Sequence, residues 1–422
     1  MKSFQRVAAK LSKLCFFWDR AHIPVPTVWN LIGLLLLYKA LVSNPAAHAQ
    51  QSVLITMDDM RPDDMRYMPN LSDYVTKNGI DLQRAFVSSP LCAPSRATMM
   101  TGLVTSNHGV TKNALPLEKK TIFQALKEQR PEVRTGMIGK YLNSCDGEYR
   151  PEFDEWVVFK GGMIYNWSSF RVNVNGEWTW ISEYVSDYFL KRAENFTEKY
   201  KDDPYLLYLN FTAPHFPAQT PKSFDYECIG TQSLPKAFNL LDRRAPIRYK
   251  KLTAQDPNKM KRVVCGRARS LAYIDAKIVP FIETLTARGV SVIFVSDNGF
   301  MTGDYRQTQK SLPYEQTVRS PFLVFNIEIN RERLTSFTDI ATNYYSIYGI
   351  NPPYPLDGLA YNEDRETLQV DSHFNKSKKI PFEAEVRANN IRVTYQSGFR
   401  QVIHMPKYSD IKPKRSPVAP KR

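Results

Sequence analysis

The sequence has little of what marks several common classes of protein. Only 23% of its 422 residues are charged and 43% are hydrophobic, which excludes a disordered tail protein and a simple coiled coil. Its 18 glycines and 28 prolines exclude a collagen and a low-complexity chain. No internal repeat is visible in the sequence. The length suggests two or three ordinary domains, although one large α/β domain with a small appendage fits as well, and the core is large enough for a buried polar site.

Cysteine is also scarce, with five residues in the whole chain. Cys15 lies in the N-terminal segment, and Cys92 lies in a motif described below. The other three are enough for one disulfide and a spare thiol, but they do not make a disulfide scaffold.

A long hydrophobic run is missing as well. Within residues 1–49, the apolar run from Leu31 to Tyr38 is too short to span a bilayer comfortably. A basic stretch precedes it and Ala47-His48-Ala49 follows, which predicts a signal peptide over residues 1–49. The long basic stretch keeps a signal anchor as the alternative. We expect an exported protein (secreted, periplasmic or lysosomal, according to its host) with no stable membrane span after signal cleavage.

The net charge of +15 is concentrated at the two ends of the chain. Residues 1–49 hold six Lys and Arg against one Asp, and residues 412–422 hold five Lys and Arg without an acid. The body between them is therefore about +5, an excess that suits an anionic ligand. Because no basic-aromatic module is present, no nucleic-acid partner is expected. The basic tail 412–422 is predicted to be disordered.

Apolar segments alternate with segments of helical spacing. Buried strands are predicted at Val53–Met57, Tyr205–Phe211 and Val290–Val295, and helices at 121–127, 184–200 and 264–288. This alternation predicts an α/β fold with a large, mostly parallel sheet between helices. Beyond residue 360 the pattern changes to a period of two, which predicts a small C-terminal antiparallel sheet.

Polar residues follow each of these strands at the point where the strand ends. They are Asp58-Asp59, His215 and Asp297-Asn298. Ligands of parallel sheets bind at the carboxyl ends of the strands. The aspartates and the asparagine offer only hard oxygen ligands, which favour Ca²⁺ or Mg²⁺ over zinc. Alone, each motif would more often be a solvated turn; together they predict a metal site.

The segment Cys92-Ala93-Pro94-Ser95-Arg96 lies at a predicted helix start. A cysteine there faces unpaired amides and the positive end of the helix dipole, and Arg96, one turn on, can reach back to the same spot. The pattern favours an anion site that contains a nucleophile. The alternative is a buried structural cysteine.

Several segments together resemble the formylglycine-dependent sulfatases. They are Cys92–Arg96 with Thr101-Gly102, Val53–Asp59, Gly139–Asn143, Ala213–Pro217, and Ser296–Phe300 with Lys310. Gly139–Asn143 has the form seen in N-acetylglucosamine-6-sulfatases. The likeness covers roughly residues 52–360. It implies an alkaline-phosphatase-like sandwich, with a catalytic domain over 50–360 and a small C-terminal subdomain over 361–411.

The resemblance also implies a covalent modification and a metal. Cys92 would be oxidised to formylglycine by a formylglycine-generating enzyme, and the hydrate of that residue would be the nucleophile. One Ca²⁺, or Mg²⁺ as the alternative, would be bound by the residue made from Cys92 and by Asp58, Asp59, Asp297 and Asn298.

The remaining matching residues would act on the substrate, a sulfated small molecule or saccharide. Arg96 and Lys140 would stabilise the formylglycine hydrate. His215 and Lys310 would bind the sulfate and offset charge on the leaving alcohol.

Two residues depart from the family pattern. Leu142 stands where many relatives have a histidine, and Met301 replaces the histidine that often follows the D-N-G-F sequence. The expected substrate-binding residue is then Asn143, or His108 from the loop after the first motif helix.

Two other functions stay open at this point. A phosphate or phosphonate ester hydrolase shares the fold and the metal arrangement, and Lys140, His215 and Lys310 would accept phosphate too. A weakly active relative that binds sulfated glycans through its basic surface is the other. The complete Cys92–Arg96 motif argues against this last reading.

Overall fold

The structure is a computed structural model that describes residues 50–228, 234–373, 380–387 and 389–405. The predicted signal peptide (1–49) and basic tail (412–422) lie outside these residues, so both stay predictions. Each helix within the described ranges is too short or too polar to cross a membrane.

Seventeen strands and nine α-helices follow one another along the described chain, with a 3-10 helix at Pro62–Tyr67. The strands are β1 (Gln51–Met57), β2 (Ile80–Asp81), β3 (Ala85–Phe86), β4 (Arg134–Gly139), β5 (Glu155–Val158), β6 (Phe170–Val174), β7 (Glu177–Ile181), β8 (Tyr205–Asn210), β9 (Ser291–Ser296), β10 (Met301–Thr302), β11 (Thr308–Gln309), β12 (Phe322–Phe325), β13 (Thr335–Ser336), β14 (Leu368–Ser372), β15 (Phe382–Val386), β16 (Asn390–Tyr395) and β17 (Arg400–His404). The helices are α1 (Pro69–Asn78), α2 (Cys92–Thr101), α3 (Thr105–His108), α4 (Ile122–Gln129), α5 (Val185–Lys199), α6 (Ile247–Lys250), α7 (Pro257–Ala287), α8 (Glu315–Val318) and α9 (Thr338–Ile347).

The large sheet has nine strands in the order β2-β12-β9-β1-β8-β4-β5-β6-β7. Its centre, from β9 to β5, is parallel, as the apolar strand segments predicted. Both margins are antiparallel: β12 runs against β9 and β2 on one side, and β6 runs against β5 and β7 on the other. These margins were not predicted, because their strands are short or partly exposed.

Each face of the sheet is covered by helices, which confirms the predicted sandwich. Along β1, Leu54 faces one core, which contains residues of α2, α4 and α9. Its neighbours Val53 and Ile55 face the other core, which contains residues of α1, α5 and α7. Successive side chains of a strand point to opposite faces, so an unbroken apolar run serves both cores at once.

The predicted C-terminal antiparallel sheet is present with the order β14-β15-β16-β17. The sequence pattern indicated the last three strands and missed β14. Val370, Phe382 and Val393 belong to the same hydrophobic cluster as Leu54 of the large sheet. The C-terminal sheet therefore shares a core with the main domain.

The long helix α7 begins at Pro257, seven residues before the predicted start at Val264. The side chain of Asp256 accepts hydrogen bonds from the amides of Asn258 and Lys259, which caps the first turn. On the same helix, Cys265 forms a disulfide with Cys228, while Cys92 and Cys145 are buried thiols. One disulfide and a spare thiol outside the motif agree with the cysteine count.

Candidate active site

The parallel register brings the ends of four neighbouring strands to one level. Met57 of β1 pairs with Ser296 of β9, and Thr56 pairs with Asn210 of β8. Asn210 in turn pairs with Gly139 of β4. The residues that follow these strands, among them Asp58, Asp297 and Lys140, must therefore emerge at the same edge of the sheet.

Gly139 is required at the end of β4. Its φ of 102° is unfavourable for a residue with a side chain, and a Cβ there would lie 1.9 Å from the carbonyl oxygen of Asn210. The close approach of β4 to β8 brings the Lys140 backbone beside Asn210. The glycine of the Gly139–Asn143 motif thus positions the lysine that follows it.

Asp59 occupies a left-handed backbone conformation with φ of 70°. Its amide donates to Oδ1 of Asp297 at 3.1 Å, and its carbonyl accepts from the guanidinium of Arg267 at 2.6 Å. A non-glycine residue in this region is strained and persists only where its surroundings hold it. Arg267, on α7, is one of the groups that hold it.

Cys92 is the first residue of α2, whose ten residues are all buried. Its Sγ lies 2.6 Å from Nζ of Lys310 and 3.6 Å from Oδ1 of Asp58. The thiol therefore lies between a cation and one of the predicted metal ligands, at the helix N-terminus as expected.

Around Cys92, three buried carboxylates each form an ion pair with a different cation. We call Cys92 and these six charged residues the Cys92 cluster. The pairs are Lys140 Nζ with Asp58 Oδ2 at 2.6 Å, Arg96 Nε with Asp297 Oδ2 at 2.8 Å, and Lys310 Nζ with Asp59 Oδ1 in direct contact. The pairs are buried, and the most exposed member, Lys310, is 13% exposed. A charged group buried away from water is costly unless an opposite charge lies in direct contact with it.

Opposite charges keep these groups ionised against the effect of burial. Burial works against the charge of Asp58, but Lys140 and His215 outweigh it, so the pKa of Asp58 lies below its ordinary value. Burial likewise opposes the charge of Lys140, and Asp58 outweighs it, so the pKa of Lys140 is raised. Cys92 behaves differently: burial raises the pKa of its thiol to about 12 despite the nearby lysines. The unmodified cysteine is thus a protonated thiol near neutral pH.

Arg96 is held by groups that the motif does not contain. One nitrogen of its guanidinium donates to the carbonyl of Lys140 at 2.8 Å and to Oδ1 of Asn210 at 2.7 Å. Sequence reasoning missed Asn210 as a site residue, and likewise Arg267. Asn210 follows a strictly apolar strand segment as its last, fully buried residue, and that position was the available signal.

His215 follows β8 by five residues and lies at the rim of the cluster. Its Nδ1 donates to the carbonyl of Phe216 at 2.8 Å, and its Nε2 lies 3.7 Å from Oδ2 of Asp59. The side chain is 15% exposed, so the ring is partly open to solvent.

The residues present fit a hard divalent cation. One oxygen each of Asp58 and Asp297 and the Cys92 sulfur lie within 4.8 Å of one another, as do ligand atoms of Asp58, Asp59 and His215. Oδ1 of Asn298 is buried without a hydrogen-bond partner, which is costly unless another group binds it. A set of carboxylate and amide oxygens with one such orphaned atom suits Ca²⁺ or Mg²⁺.

The structure does not bring His108 into this cluster. The ring is 3% exposed, its Nε2 lies 3.1 Å from Oγ1 of Thr98, and its Nδ1 accepts from the amide of Val110 at 3.0 Å. Burial lowers its pKa to about 4. Both nitrogens are committed within the fold, so the substrate-binding role suggested for His108 has no support in its contacts.

The side chain of Asn143 packs directly against Gly162. A Cβ added to Gly162 would lie 1.9 Å from Nδ2 of Asn143. Its role toward substrate stays a prediction. The two departures from the family pattern, Leu142 and Met301, are buried in the hydrophobic core at 3% and 0% exposure.

Comparison with known proteins decides the family. A sequence model of the sulfatase family matches residues 50–350. The chain belongs to the sulfatase family. This confirms the resemblance seen in the motif segments.

Among curated relatives of this sulfatase family chain, an extracellular sulfatase Sulf-1 homologue of Caenorhabditis elegans is 29% identical over 367 residues. That match covers 78% of this chain and 50% of the relative. An N-acetylglucosamine-6-sulfatase of Capra hircus is 23% identical, with 67% of this chain and 57% of the relative covered. The chain thus spans only about half the length of these relatives.

Solved structures confirm the fold. A protein in complex with its substrate D-glucosamine-2-N,6-O-disulfate superposes with a TM-score of 0.67 at 16% identity, covering 86% of this chain and 93% of the other. A phosphonate monoester hydrolase of Silicibacter pomeroyi superposes with a TM-score of 0.63 at 14% identity, covering 84% and 88%. The alkaline-phosphatase-like architecture of this chain is therefore shared with both of these proteins.

Proposed function

We propose that this protein hydrolyses sulfate monoesters by means of a formylglycine made from Cys92 and one divalent cation. The observation that carries the proposal is the position of the Cys92 sulfur, 2.6 Å from Nζ of Lys310 and 3.6 Å from Oδ1 of Asp58. A purely structural cysteine needs no such neighbours. With a pKa of about 12, its unmodified thiol is also a poor nucleophile.

The modified residue would supply the nucleophile, and the cation would polarise a sulfate oxygen. Asp58, Asp59, Asp297 and the orphaned amide oxygen of Asn298 would hold that cation.

The cations of the chain would orient the reacting groups and offset their negative charge. Lys140 and Arg96 stabilise the nucleophile, and both are already fixed by carboxylate partners. Lys310 contacts both the Cys92 sulfur and Asp59, so it is suited to bind the sulfate group beside the nucleophile. His215, with Nε2 at the open rim, is suited to give a proton to the leaving alcohol.

The modification is tested by coexpression with a formylglycine-generating enzyme and peptide mass spectrometry. The Cys92 peptide should lose sulfur and gain oxygen, and turnover of 4-nitrophenyl sulfate should rise with the modified fraction. Cys92→Ala, processed in the same way, is the matched control. Active protein with an unmodified thiol at this position would overturn the proposal.

The metal is tested by elemental analysis of the purified protein. We expect stoichiometric Ca²⁺ or Mg²⁺ in the wild type and its loss, together with activity, in Asp297→Ala, because that variant removes both charge and a ligand. The exposed Asp202→Ala is the control. Stoichiometric zinc, or no metal in active protein, would contradict this assignment.

Phosphate or phosphonate ester hydrolysis is the second candidate, favoured by the fold shared with a phosphonate monoester hydrolase. The negative charges of the three carboxylates equal the positive charges of their three partners, so a bound divalent metal would leave a net charge of about +2 at the site. One ionised nucleophile and a singly charged sulfate monoester balance these two charges, whereas a phosphate monoester carries close to two charges by itself. Faster turnover of an aryl phosphate than of the matching aryl sulfate would promote the second candidate.

The natural substrate is proposed to be a sulfated saccharide, and the site of action to lie outside the cytoplasm. Support comes from relatives described as extracellular sulfatases and as N-acetylglucosamine-6-sulfatases, and from the neighbour that binds a disulfated glucosamine. Maturation would require a formylglycine-generating enzyme as partner.

A further inference from the structure

Strand β7, at one end of the nine-stranded sheet, carries two tryptophans on one face. Trp178 and Trp180 are two residues apart, so both side chains project to the same side. Trp180 is 68% exposed, and Tyr165, in the loop before β6, is 72% exposed. Exposed apolar side chains that lie together and are rimmed by polar residues are typical of ligand-binding grooves, whereas single exposed ones are common.

These three rings line a cavity of about 550 Å³, which we name the aromatic groove. Lys160, Arg171 and Glu148 contribute charged groups to its wall. The volume lies within the range of small-ligand sites, which combine aromatic walls with a few polar groups. The groove is distinct from the Cys92 cluster, none of whose residues lines it.

Trp178 is held rigidly in the wall of the groove. The guanidinium of Arg171 lies 5.2 Å from the centre of its ring, and its Nε1 donates to Oε1 of Glu148 at 3.2 Å. A Cβ built on Gly147 would lie 2.5 Å from the ring, so the ring rests directly on that glycine. A binding surface fixed in this way loses little entropy when a ligand arrives.

Tyr165 is fixed through its backbone while its ring stays open. Nε2 of Gln219 donates to the carbonyl of Tyr165 at 3.1 Å, and Oε1 of Gln219 accepts from the amide of Trp167 at 2.8 Å. Gln219 lies four residues after His215. The loop that carries the rim histidine therefore also anchors one side of the aromatic groove.

A second connection joins the groove to the active site. Asn143 packs against Gly162, and the next residue, Met163, lines the groove. Asn143 is three positions after Lys140 in the chain, so their Cα atoms are at most about 11 Å apart. The wall of the groove is thus joined to the buried lysine of the reaction site through Asn143 and a short stretch of chain.

We propose that the aromatic groove binds sugar residues of a sulfated oligosaccharide, next to the sugar whose ester is cleaved. This inference rests on the proposed sulfatase function and defines its substrate as a chain of sugars. A pyranose ring has an apolar C–H face that stacks on Trp180 or Tyr165, and hydroxyls that bond to groups such as Glu148. Lys160 and Arg171 can pair with sulfate groups on those sugars.

A protein partner is the competing occupant, because an edge strand can pair with a strand of another chain. The concave shape and the mixture of acids, amides and cations around the rings fit a compact polar ligand better than a flat protein face. The tryptophan side chains also stand on a face of the sheet, perpendicular to the edge where a new strand would pair.

The test measures binding to the Cys92→Ala protein, which cannot consume the ligand. The probes are hexasaccharides from heparin, chondroitin sulfate and ι-carrageenan, titrated by calorimetry. Trp180→Ala and Tyr165→Ala should each weaken the tightest of these complexes by about tenfold or more, as for aromatic residues that anchor a ligand. Ile247→Ala, which removes a side chain that is 71% exposed elsewhere, is the matched control and should bind as the parent does.

Turnover gives the second readout. On the matured enzyme, kcat/KM for the hexasaccharide relative to kcat/KM for 4-nitrophenyl sulfate should fall by about tenfold in Trp180→Ala, mainly through KM. Unchanged hexasaccharide affinity in both variants, or no binding of any hexasaccharide, would overturn the inference. The inference would also be overturned if Trp180→Ala or Tyr165→Ala converted a dimer to a monomer in light scattering and still bound the hexasaccharide normally. The groove would then be a protein interface.

The two proposals fail in different ways. Matured wild-type protein that leaves both 4-nitrophenyl sulfate and the hexasaccharides intact would refute the sulfatase function. Hexasaccharide binding that depends on Trp180 would still establish the groove in that case.

Discussion

Lys310 offers the sharpest test of the site. Its ammonium contacts the Cys92 sulfur at 2.6 Å and also touches Asp59, so it joins the nucleophile to a proposed metal ligand. We expect Lys310→Ala to lower kcat/KM for a sulfate ester strongly, because the sulfate group would lose the cation nearest the nucleophile.

The magnitude follows from charge and burial. Two unit charges about 4 Å apart interact by about 4 kcal/mol at an effective dielectric constant of 20. Lys310 is only 13% exposed, so solvent screens it weakly. Arg96 and Lys140 stay in place and recover part of the loss. We expect a cost of about 2–4 kcal/mol, which is about 30- to 1,000-fold in rate.

The assay is turnover of 4-nitrophenyl sulfate by protein with a measured content of formylglycine and metal. Inhibition by free sulfate should weaken in parallel, since both anions meet the same ammonium. Lys310→Arg should retain part of the activity, and the exposed Lys251→Ala should retain all of it. A loss below about threefold would refute this role. Loss of the metal from Lys310→Ala would also refute it, because the fall in activity would then follow from the missing metal and not from the missing ammonium.

Three further outcomes are expected. Gly139→Ala should lower kcat by about 100-fold in the same assay, because its Cβ would meet the Asn210 carbonyl at 1.9 Å and displace Lys140. Arg267→Ala should lower the free energy of unfolding in urea by about 3–5 kcal/mol, since it leaves Asp64, bonded at 2.5 Å, buried without its partner. Burial lowers the pKa of His108 to about 4, so below pH 6.5 the unfolded chain binds more protons than the folded protein does. The free energy of unfolding should therefore fall by up to about 3 kcal/mol as the pH drops from 6.5 to 4. In thermal melts at pH 7 and 5, His108→Gln should lack this contribution.

Most of the site could be predicted because it follows the ends of buried strands. Asp58, Asp297 and Lys140 come directly after Met57, Ser296 and Gly139, and parallel pairing sets these strands in register. Local sequence identifies a buried strand and the residue where it ends. The geometry of a parallel sheet then places the residues after neighbouring strands at the same edge.

The residues that fix those groups could not be predicted in the same way. Arg267 reaches the Asp59 carbonyl from a helix more than two hundred residues away in sequence, and Asn210 at the end of β8 accepts a hydrogen bond from Arg96 of α2. Such contacts depend on how a helix packs over the sheet, which residue pattern alone does not determine. The antiparallel margins escaped prediction for a related reason, since strands such as β7 are half open and lack a clear apolar run.

The two departures from the family pattern can now be interpreted physically. The side chains of Leu142 and Met301 are both buried among apolar residues. A histidine buried at either position would need a hydrogen-bond partner to offset the loss of water, whereas leucine and methionine add to the apolar core. Neither side chain offers a polar group to a ligand. The aromatic groove, joined to the site through Asn143 and Gln219, is suited to supply such groups.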